Sequence, residues 1–202
     1  MIVIIDYGMG NLGSLVNMFK KLGYKSTITN DLRIISLSKK IILPGVGSFD
    51  TAMERLKNKT GLIELLGELV LQKGIPILGV CLGMQILTNF SEEGNVKGLG
   101  WIPAETLKFK NHSKYKVPHM GWNYINSLKK DKILKGIDIN FKYYFVHSYY
   151  VKVIDEYYSL AKTDYTVKFD SIINRKNIYG VQFHPEKSHK FGMKFLKNFV
   201  LL

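Results

Sequence analysis

A single cysteine lies between two glycines in Gly79-Val80-Cys81-Leu82-Gly83, directly after a short apolar run. In a G-x-S-x-G elbow the same spacing places a nucleophile on a sharp turn between a strand and a helix. The glycines are needed because larger side chains would obstruct so tight a turn. A thiolate is a strong nucleophile, so Cys81 is the candidate for attack on a carbonyl carbon. An inert buried thiol is the alternative, since many lone cysteines are buried and unreactive.

A cysteine nucleophile needs a base within hydrogen-bond reach and a group that orients the base. Of the five histidines, His184 stands out because it lies in Gln182-Phe183-His184-Pro185-Glu186, at the end of a predicted strand. Glu186 could accept a hydrogen bond from the far ring nitrogen and fix its tautomer, as the acid of a catalytic triad does. A surface turn made by His-Pro-Glu is the alternative.

The elements that would position these residues are predicted from apolar periodicity. The first half of the chain predicts strands at 2–5, 25–29, 41–43 and 77–80 and helical patterns at 15–22, 62–71 and 84–90. Alternating strands and helices indicate a parallel sheet with helices on both faces. Ligands bind such sheets at the carboxyl ends of the strands. Residues 6–13, 44–49 and 81–83 directly follow strands and are the informative loops.

The second half is rich in aromatic and β-branched residues, which favour strands. These residues concentrate at 141–153, 157–160, 167–173 and 178–183, and a final helix is predicted at 188–202. We therefore predict an α/β fold with a mostly parallel central sheet flanked by helices and an antiparallel extension, similar to flavodoxin. With no linker or repeat in the pattern, we expect one domain over residues 1–202.

Composition excludes several classes of protein. The net charge of +13 comes almost entirely from scattered lysines, because only Arg33, Arg55 and Arg175 are arginines. Arginine is the residue suited to bidentate contacts with phosphates and bases, so nucleic-acid binding is not expected. The N-terminal apolar run stops at Asp6, too short for a signal peptide, and no run is long enough for a membrane helix. With one cysteine and no intramolecular disulfide, a cytoplasmic protein is expected.

Two rival sites are visible in the sequence. Residues 8–13 match G-x-G-x-x-G, and Asp31 lies near the distance of a ribose-binding acid, which together would suit a dinucleotide enzyme. That interpretation leaves both the cysteine elbow and His-Pro-Glu unexplained. A metal site at His184, Glu186 and His189 lacks the spacing of known zinc motifs. No cofactor and no metal are therefore expected.

The chain resembles the class I (triad) glutamine amidotransferases, in which a G-x-C-x-G elbow is followed by His-x-Glu. Within that family it is most similar to the glutaminase subunits of imidazole glycerol phosphate synthases, which serve histidine biosynthesis. The resemblance extends from end to end of the chain, through residues 6–12, 44–49, 79–85, 118–123, 145–149 and 184–188.

The resemblance implies that Cys81, His184 and Glu186 form a catalytic triad. The residues that it implies for the oxyanion and for glutamine binding are Val46, Gly47, Leu82, Gln85, Ser148 and Tyr149. A partner enzyme, a barrel-shaped cyclase subunit bound as a heterodimer, is implied to face Met9, Asn11, Trp122 and Lys187.

The implied activity is hydrolysis of glutamine to glutamate and ammonia through a Cys81 thioester, with the ammonia passed to the cyclase. Two alternatives stay open. The same glutaminase chemistry could supply a related synthase that makes an amidino sugar for cell-surface polysaccharide. A regulatory paralogue that binds the cyclase without catalysis is disfavoured by the intact Cys, His and Glu set.

Overall fold

The structure, a computed structural model, describes residues 1–110, 112–127, 129–138 and 140–202. Its helices are α1 Leu12–Lys21, α2 Leu32–Ile35, α3 Phe49–Lys57, α4 Leu62–Gly67, α5 Leu82–Ile86 and α6 His189–Val200. The first strands are β1 Ile2–Ile5, β2 Ser26–Thr29, β3 Lys40–Leu43, β4 Ile77–Val80, β5 Phe90–Ser91, β6 Val96–Lys97 and β7 Ala104–Lys108. The later strands are β8 His119–Tyr124, β9 Asn126–Ser127, β10 Lys142–His147, β11 Tyr149–Val153, β12 Ser159–Asp164, β13 Lys168–Arg175 and β14 Ile178–Val181.

One large sheet runs through the described part of the chain, with its main path in the order β2-β1-β3-β4-β14-β13-β11-β7-β5-β6. The first five strands of this path are mutually parallel. From β14 onward the pairs with β13, β11 and β7 are antiparallel. Strands β8 and β10 form a separate antiparallel pair. The prediction of a mostly parallel sheet with an antiparallel extension is therefore confirmed.

Two hydrophobic cores cover the two faces of the parallel sheet, which is why β1 and β4 carry no polar side chain at any position. Val3 and Ile5 point into one core, whereas Ile2 and Ile4 point into the other. The first core is closed by α3, α4 and α5, and the second by α1, α6 and β10. Among the described residues, every helix is too short or too polar to cross a bilayer.

The parallel arrangement brings four loops to one edge of the sheet. The chain leaves β1, β3, β4 and β14 at their carboxyl ends, and these strands are neighbours in the order β1-β3-β4-β14. Residue 81 follows β4, residues 44–48 follow β3, and residues 182–187 follow β14. The edge at which the sequence places its chemistry is thus where these loops meet.

One predicted helix is shorter than its pattern suggested. The apolar spacing continues to Phe90, but α5 ends at Ile86 and Phe90 begins β5. The reason is that residues further along compete for the last carbonyls of the helix. Leu99 donates to the Ile86 oxygen at 2.8 Å, and Trp101 donates to the Leu87 oxygen at 3.0 Å. These bonds satisfy groups that another helical turn would otherwise have used.

The predicted run at 141–153 is also not one strand. It divides at Ser148 into β10, which pairs with β8, and β11, which pairs with β7 and β13. The break separates two sheets and places residues 148 and 149 beside the elbow. Helix α3 and the short strands between residues 90 and 127 carried no signal that the sequence analysis detected.

Gly192 provides a test of how α6 holds the His-Pro-Glu turn. A Cβ at this position would collide with the Pro185 carbonyl oxygen. We expect Gly192→Ala to lower the free energy of unfolding by about 1–3 kcal/mol, because helix and turn would have to separate. Gly67→Ala is the matched control, since no atom of the described residues lies within 4 Å of its Cβ position and its φ is −59°. Urea unfolding measures both, and equal losses would contradict the close contact.

Candidate active site

Cys81 occupies a sharp elbow between β4 and α5. Its φ is 54° and its ψ is −109°, a conformation that L-residues seldom adopt. The backbone around it is fixed on both sides, because the Cys81 N–H donates to the Val181 oxygen at 2.8 Å and the Cys81 oxygen accepts from Met84 N–H at 3.0 Å. Only 6% of the residue is exposed. The thiol is therefore held at the sheet edge with little freedom.

The glycines of the elbow are required by close approach. A Cβ on Gly83 would collide with the Leu43 carbonyl oxygen at the end of β3, and a Cβ on Gly79 would lie 2.6 Å from the Gly83 oxygen. The elbow can therefore press against β3 only because both positions lack side chains. This contact explains in physical terms the spacing that the sequence analysis singled out.

His184 and Glu186 form a buried pair directly after β14. The imidazole Nδ1 lies 2.8 Å from Glu186 Oε1, and because a carboxylate only accepts, Nδ1 carries the proton. The backbone of His184 is held in place, because its N–H donates to the Tyr144 oxygen at 2.9 Å. Ser188 Oγ donates to the His184 oxygen at 2.6 Å and closes the 3₁₀ turn Pro185–Lys187. This turn places the Glu186 carboxylate beside the imidazole of His184.

The second ring nitrogen faces the cavity that contains Cys81. Nε2 is buried and has no hydrogen-bond partner within the described part of the chain. Burial opposes the charged imidazolium, but the neighbouring Cys81 and then Glu186 outweigh burial and raise the pKa of His184 to about 10. These neighbours suit His184 to accept a proton and hold it, which is what a general base requires.

A cavity of about 680 Å³ surrounds the sulfur. Of the predicted residues it is lined by Cys81 and His184, and by Val46, Gly47, Leu82, Gln85, Ser148, Tyr149, Asn11 and Lys187. Elements far apart in sequence thus contribute to one space. The roles predicted for these residues remain predictions, but the structure brings them together.

The predicted oxyanion loop packs tightly on the elbow. A Cβ on Gly45 would lie 2.7 Å from Leu82 Cβ, and Gly47 has a φ of 107° that favours glycine. The same loop contacts Met9, whose methyl carbon lies 2.9 Å from the Cβ position of Gly47. The glycine at position 45 therefore lets the backbone of this segment approach the elbow closely.

Gln85, on α5, is fixed in the cavity wall. Its Nε2 donates to the Tyr149 oxygen at 3.0 Å and to Gln182 Oε1 at 3.2 Å. Tyr149 lies just after the break between β10 and β11, with Ser148 at the break itself. The Gln85 side chain therefore links α5, which follows Cys81, to the start of β11 at Tyr149.

Trp122 and Met9 lie outside the residues that line the cavity. Trp122 is on β8, is 45% exposed, and stacks on His189 with ring centroids 5.5 Å apart. The described residues, His184, Glu186 and His189 among them, contain no group of three or more that could hold a metal ion. Asp31 accepts from the Arg33 N–H as the N-cap of α2, a structural role that leaves the dinucleotide interpretation without its acid.

The sequence analysis missed Glu93 and His147, which also line the cavity. Glu93 Oε2 accepts from the Phe49 N–H at 2.9 Å at the start of α3, and burial raises the pKa of its carboxyl. His147 ends β10 and lies in the same Phe-Val-His-Ser motif that provided Ser148. No periodic pattern marks Glu93, because it lies in a loop between two very short strands.

A family model described as glutamine amidotransferase class-I matches residues 3–202. The chain is 56% identical over 200 residues to imidazole glycerol phosphate synthase subunit HisH 2 of Methanococcus maripaludis, covering 99% of this chain and 98% of the relative. It is 48% identical over 202 residues to the subunit of the same name from Pseudomonas aeruginosa, covering 100% of both. A crystal structure of a glutamine amidotransferase superposes with a TM-score of 0.78 at 15% identity, covering 100% of this chain and 98% of that one. The chain belongs to the class-I glutamine amidotransferase family.

Proposed function

We propose that this protein is the glutaminase subunit of an imidazole glycerol phosphate synthase and that Cys81 is its nucleophile. One observation carries the proposal. In a chain of the class-I glutamine amidotransferase family, a single cavity is lined by the thiol of Cys81, whose backbone is strained, and by an imidazole that is paired with a buried carboxylate. The full-length relatives that bear the synthase subunit name support the assignment of the pathway. One domain over residues 1–202 is part of the same proposal.

In the first half of the reaction, His184 takes the Cys81 proton and the sulfur attacks the carboxamide carbon of glutamine. The electron pair of the carbonyl moves to oxygen, and the tetrahedral oxyanion is held by backbone N–H groups of Val46, Gly47 and Leu82. Each such donor contributes about a hundredfold to a thousandfold in rate. Protonated His184 then gives its proton to the departing nitrogen, so that ammonia leaves and a thioester remains.

In the second half, water replaces ammonia. His184 takes a proton from water as the oxygen attacks the thioester carbon, and a second tetrahedral oxyanion forms. Its collapse breaks the C–S bond, releases glutamate and restores the sulfur with the proton on His184. The net change is glutamine plus water to glutamate plus ammonia.

The cavity also fits the charged end of glutamine. Glu93 is the one carboxylate residue among the described lining residues, and its partial burial disfavours its charge. An α-ammonium group beside Glu93 would offset that cost. Gln85, Ser148 and Tyr149 would complete the binding site for glutamine. Because the nucleophile is a free thiol, we place the reaction in the reducing cytoplasm.

The cyclase partner is proposed to dock over the cavity mouth at Met9, Asn11, Trp122 and Lys187. Asn11 and Lys187 line the cavity, and the exposed Trp122 suits an interface anchor. Met9 contacts Gly47, so a partner on this face would touch the oxyanion loop. Direct transfer is required chemically, because ammonia released to water is protonated and loses its nucleophilic lone pair.

Cys81→Ala tests the nucleophile. We expect ammonia release from glutamine to fall by about 10⁴-fold or more, because no covalent step remains. Alanine preserves the backbone strain at this position, so the unfolding midpoint and the affinity for the cyclase should stay at wild-type values. Ammonia production is measured by a coupled glutamate dehydrogenase assay. Glutaminase turnover in the variant would refute the assignment.

Glu186→Gln tests the carboxylate. We expect kcat to fall by about 10²–10⁴-fold, since an amide neither holds the tautomer nor stabilises imidazolium. Glu186 helps to raise the pKa of His184, so the variant should have a lower value. The protonated form is lost as pH rises, and the alkaline limb of kcat/KM should therefore move to lower pH. Glu64→Gln, on the exposed surface of α4, is the control and should match wild type. An unmoved limb in Glu186→Gln would contradict the pairing.

Complementation tests the pathway. The chain, expressed with the cyclase subunit of its own organism, should restore growth without histidine to a host that lacks its own glutaminase subunit. Medium low in ammonium is needed so that growth depends on glutamine as the nitrogen donor. The Cys81→Ala chain is the matched control and should not restore growth. If the wild-type chain hydrolyses glutamine yet fails to complement, the acceptor is another synthase, such as one that makes an amidino sugar.

A further inference from the structure

A second glutamine contacts the sulfur of Cys81 from behind the cavity. Gln182, the first residue after β14, is fully buried, and its Nε2 lies 3.7 Å from Cys81 Sγ. Its backbone is held in the sheet, since its N–H donates to the Ser171 oxygen at 3.0 Å. Gln182 lies outside the set of residues that line the cavity, whereas Gln85 belongs to it. The contact therefore reaches the reacting atom without occupying substrate space.

The orientation of the Gln182 amide follows from its neighbours. The Tyr149 carbonyl can only accept, so the group of Gln85 that lies 3.0 Å from it must be the NH₂. The same NH₂ lies 3.2 Å from the Gln182 amide, which must present its oxygen there. The nitrogen of Gln182 is then the atom that faces the sulfur. The Tyr149 carbonyl, which can only accept, thus determines through Gln85 that Gln182 presents a donor to the sulfur.

The Tyr149 carbonyl is itself held by an uncharged pair of histidines. His147 Nδ1 donates to it at 2.7 Å, and His147 Nε2 accepts from His119 Nδ1 at 2.9 Å. Burial lowers the pKa of His119 to about 4, and burial together with His119 lowers that of His147 to about 3. Both rings are therefore neutral, and each bond in the chain has one direction. The anchor for Gln85 therefore keeps its direction at pH values above both of these pKa values.

A backbone carbonyl near the sulfur offers an acceptor. The Val146 carbonyl lies 3.9 Å from Sγ, where a thiol S–H can donate to it. A thiolate has no proton for that oxygen but attracts the N–H of Gln182. The two groups thus favour different protonation states of the same atom, and hydrogen bonds to an ionised acceptor are the stronger kind.

We propose that Gln182 is a further catalytic residue, whose side-chain N–H donates to the Cys81 sulfur and stabilises the thiolate before it attacks glutamine. The inference rests on the proposed role of Cys81 as nucleophile. It assigns to the first residue of Gln-Phe-His-Pro-Glu a function separate from that of His184, which exchanges the proton. Gln85 and Tyr149 act as positioning residues for this donor.

Alkylation of Cys81 by iodoacetamide tests the proposal directly, because the chain contains one cysteine and the thiolate is the reactive form. Gln182→Met removes the donor at similar volume, and we expect alkylation at neutral pH to slow by about tenfold or more. The kcat/KM for glutamine should fall by a similar factor with KM unchanged. Gln182→Glu keeps the oxygen toward Gln85 but replaces the N–H, and should react at least as slowly. Gln72→Met, on an exposed position, should react as wild type.

Alkylation at the wild-type rate in either folded variant overturns the proposal. An unchanged alkylation rate with a raised KM also overturns it, because Gln182 would then only support Gln85. Activity retained by Cys81→Ala would defeat the proposed function instead, and the alkylation rates would still decide whether Gln182 donates to the sulfur.

The wild-type protein provides a measurement that does not depend on folding of a variant. The side-chain amide protons of Gln182, assigned by NMR in the intact chain, should resonate downfield of their positions in protein alkylated at Cys81, because a neutral thioether is a weaker acceptor than a thiolate. Equal amide shifts in the two forms would overturn the assignment.

Discussion

At Cys81 the chain leaves a fully buried strand with a φ of 54° and a ψ of −109°, and the whole site is arranged around that turn. A non-glycine residue in such a conformation costs about 1–3 kcal/mol. The surroundings over-determine it. The backbone N–H and the carbonyl of Cys81 are both hydrogen-bonded, and Gly83 packs against the end of β3 where no side chain would fit. The sheet therefore holds Cys81 in its strained conformation, and this conformation directs the sulfur into the cavity.

Because the elbow presses on β3, the loop after β3 must be small as well. Gly45 and Gly47 meet this requirement, and Met9 packs on Gly47 from the loop after β1. One steric condition at residue 83 thus propagates across three neighbouring strands. The face proposed for the partner and the backbone proposed for the oxyanion consequently meet at the contact between Met9 and Gly47.

The sequence predicted the parallel half of the fold well, since the buried apolar runs at 2–5, 41–43 and 77–80, alternating with helical patterns, leave few other arrangements. It also predicted the residues that meet at the edge, because parallel strands bring their carboxyl ends together. It failed where structure depends on distant partners. The end of α5 is set by residues 99–102, and the division at Ser148 is set by the pairing of β10 and β11 with different strands. Glu93 was missed for the same reason, since tertiary folding alone brings that loop to Cys81.

The electrostatics of the site depend on which histidines have acidic partners. His147 and His184 are both buried and both lie close to the nucleophile, yet their pKa values move in opposite directions. The hydrogen-bond partners of His147 are a carbonyl oxygen and the neutral ring of His119, so burial dominates and its pKa falls to about 3. His184 has Glu186 at 2.8 Å and the Cys81 sulfur nearby, and these raise its pKa to about 10 in spite of burial. The charge of a histidine in this site is therefore set by its neighbours, and the position of the Glu186 carboxylate separates His184 from His147. The proton can reside on one imidazole only, while the other serves as a fixed dipole that aligns the amides behind the sulfur.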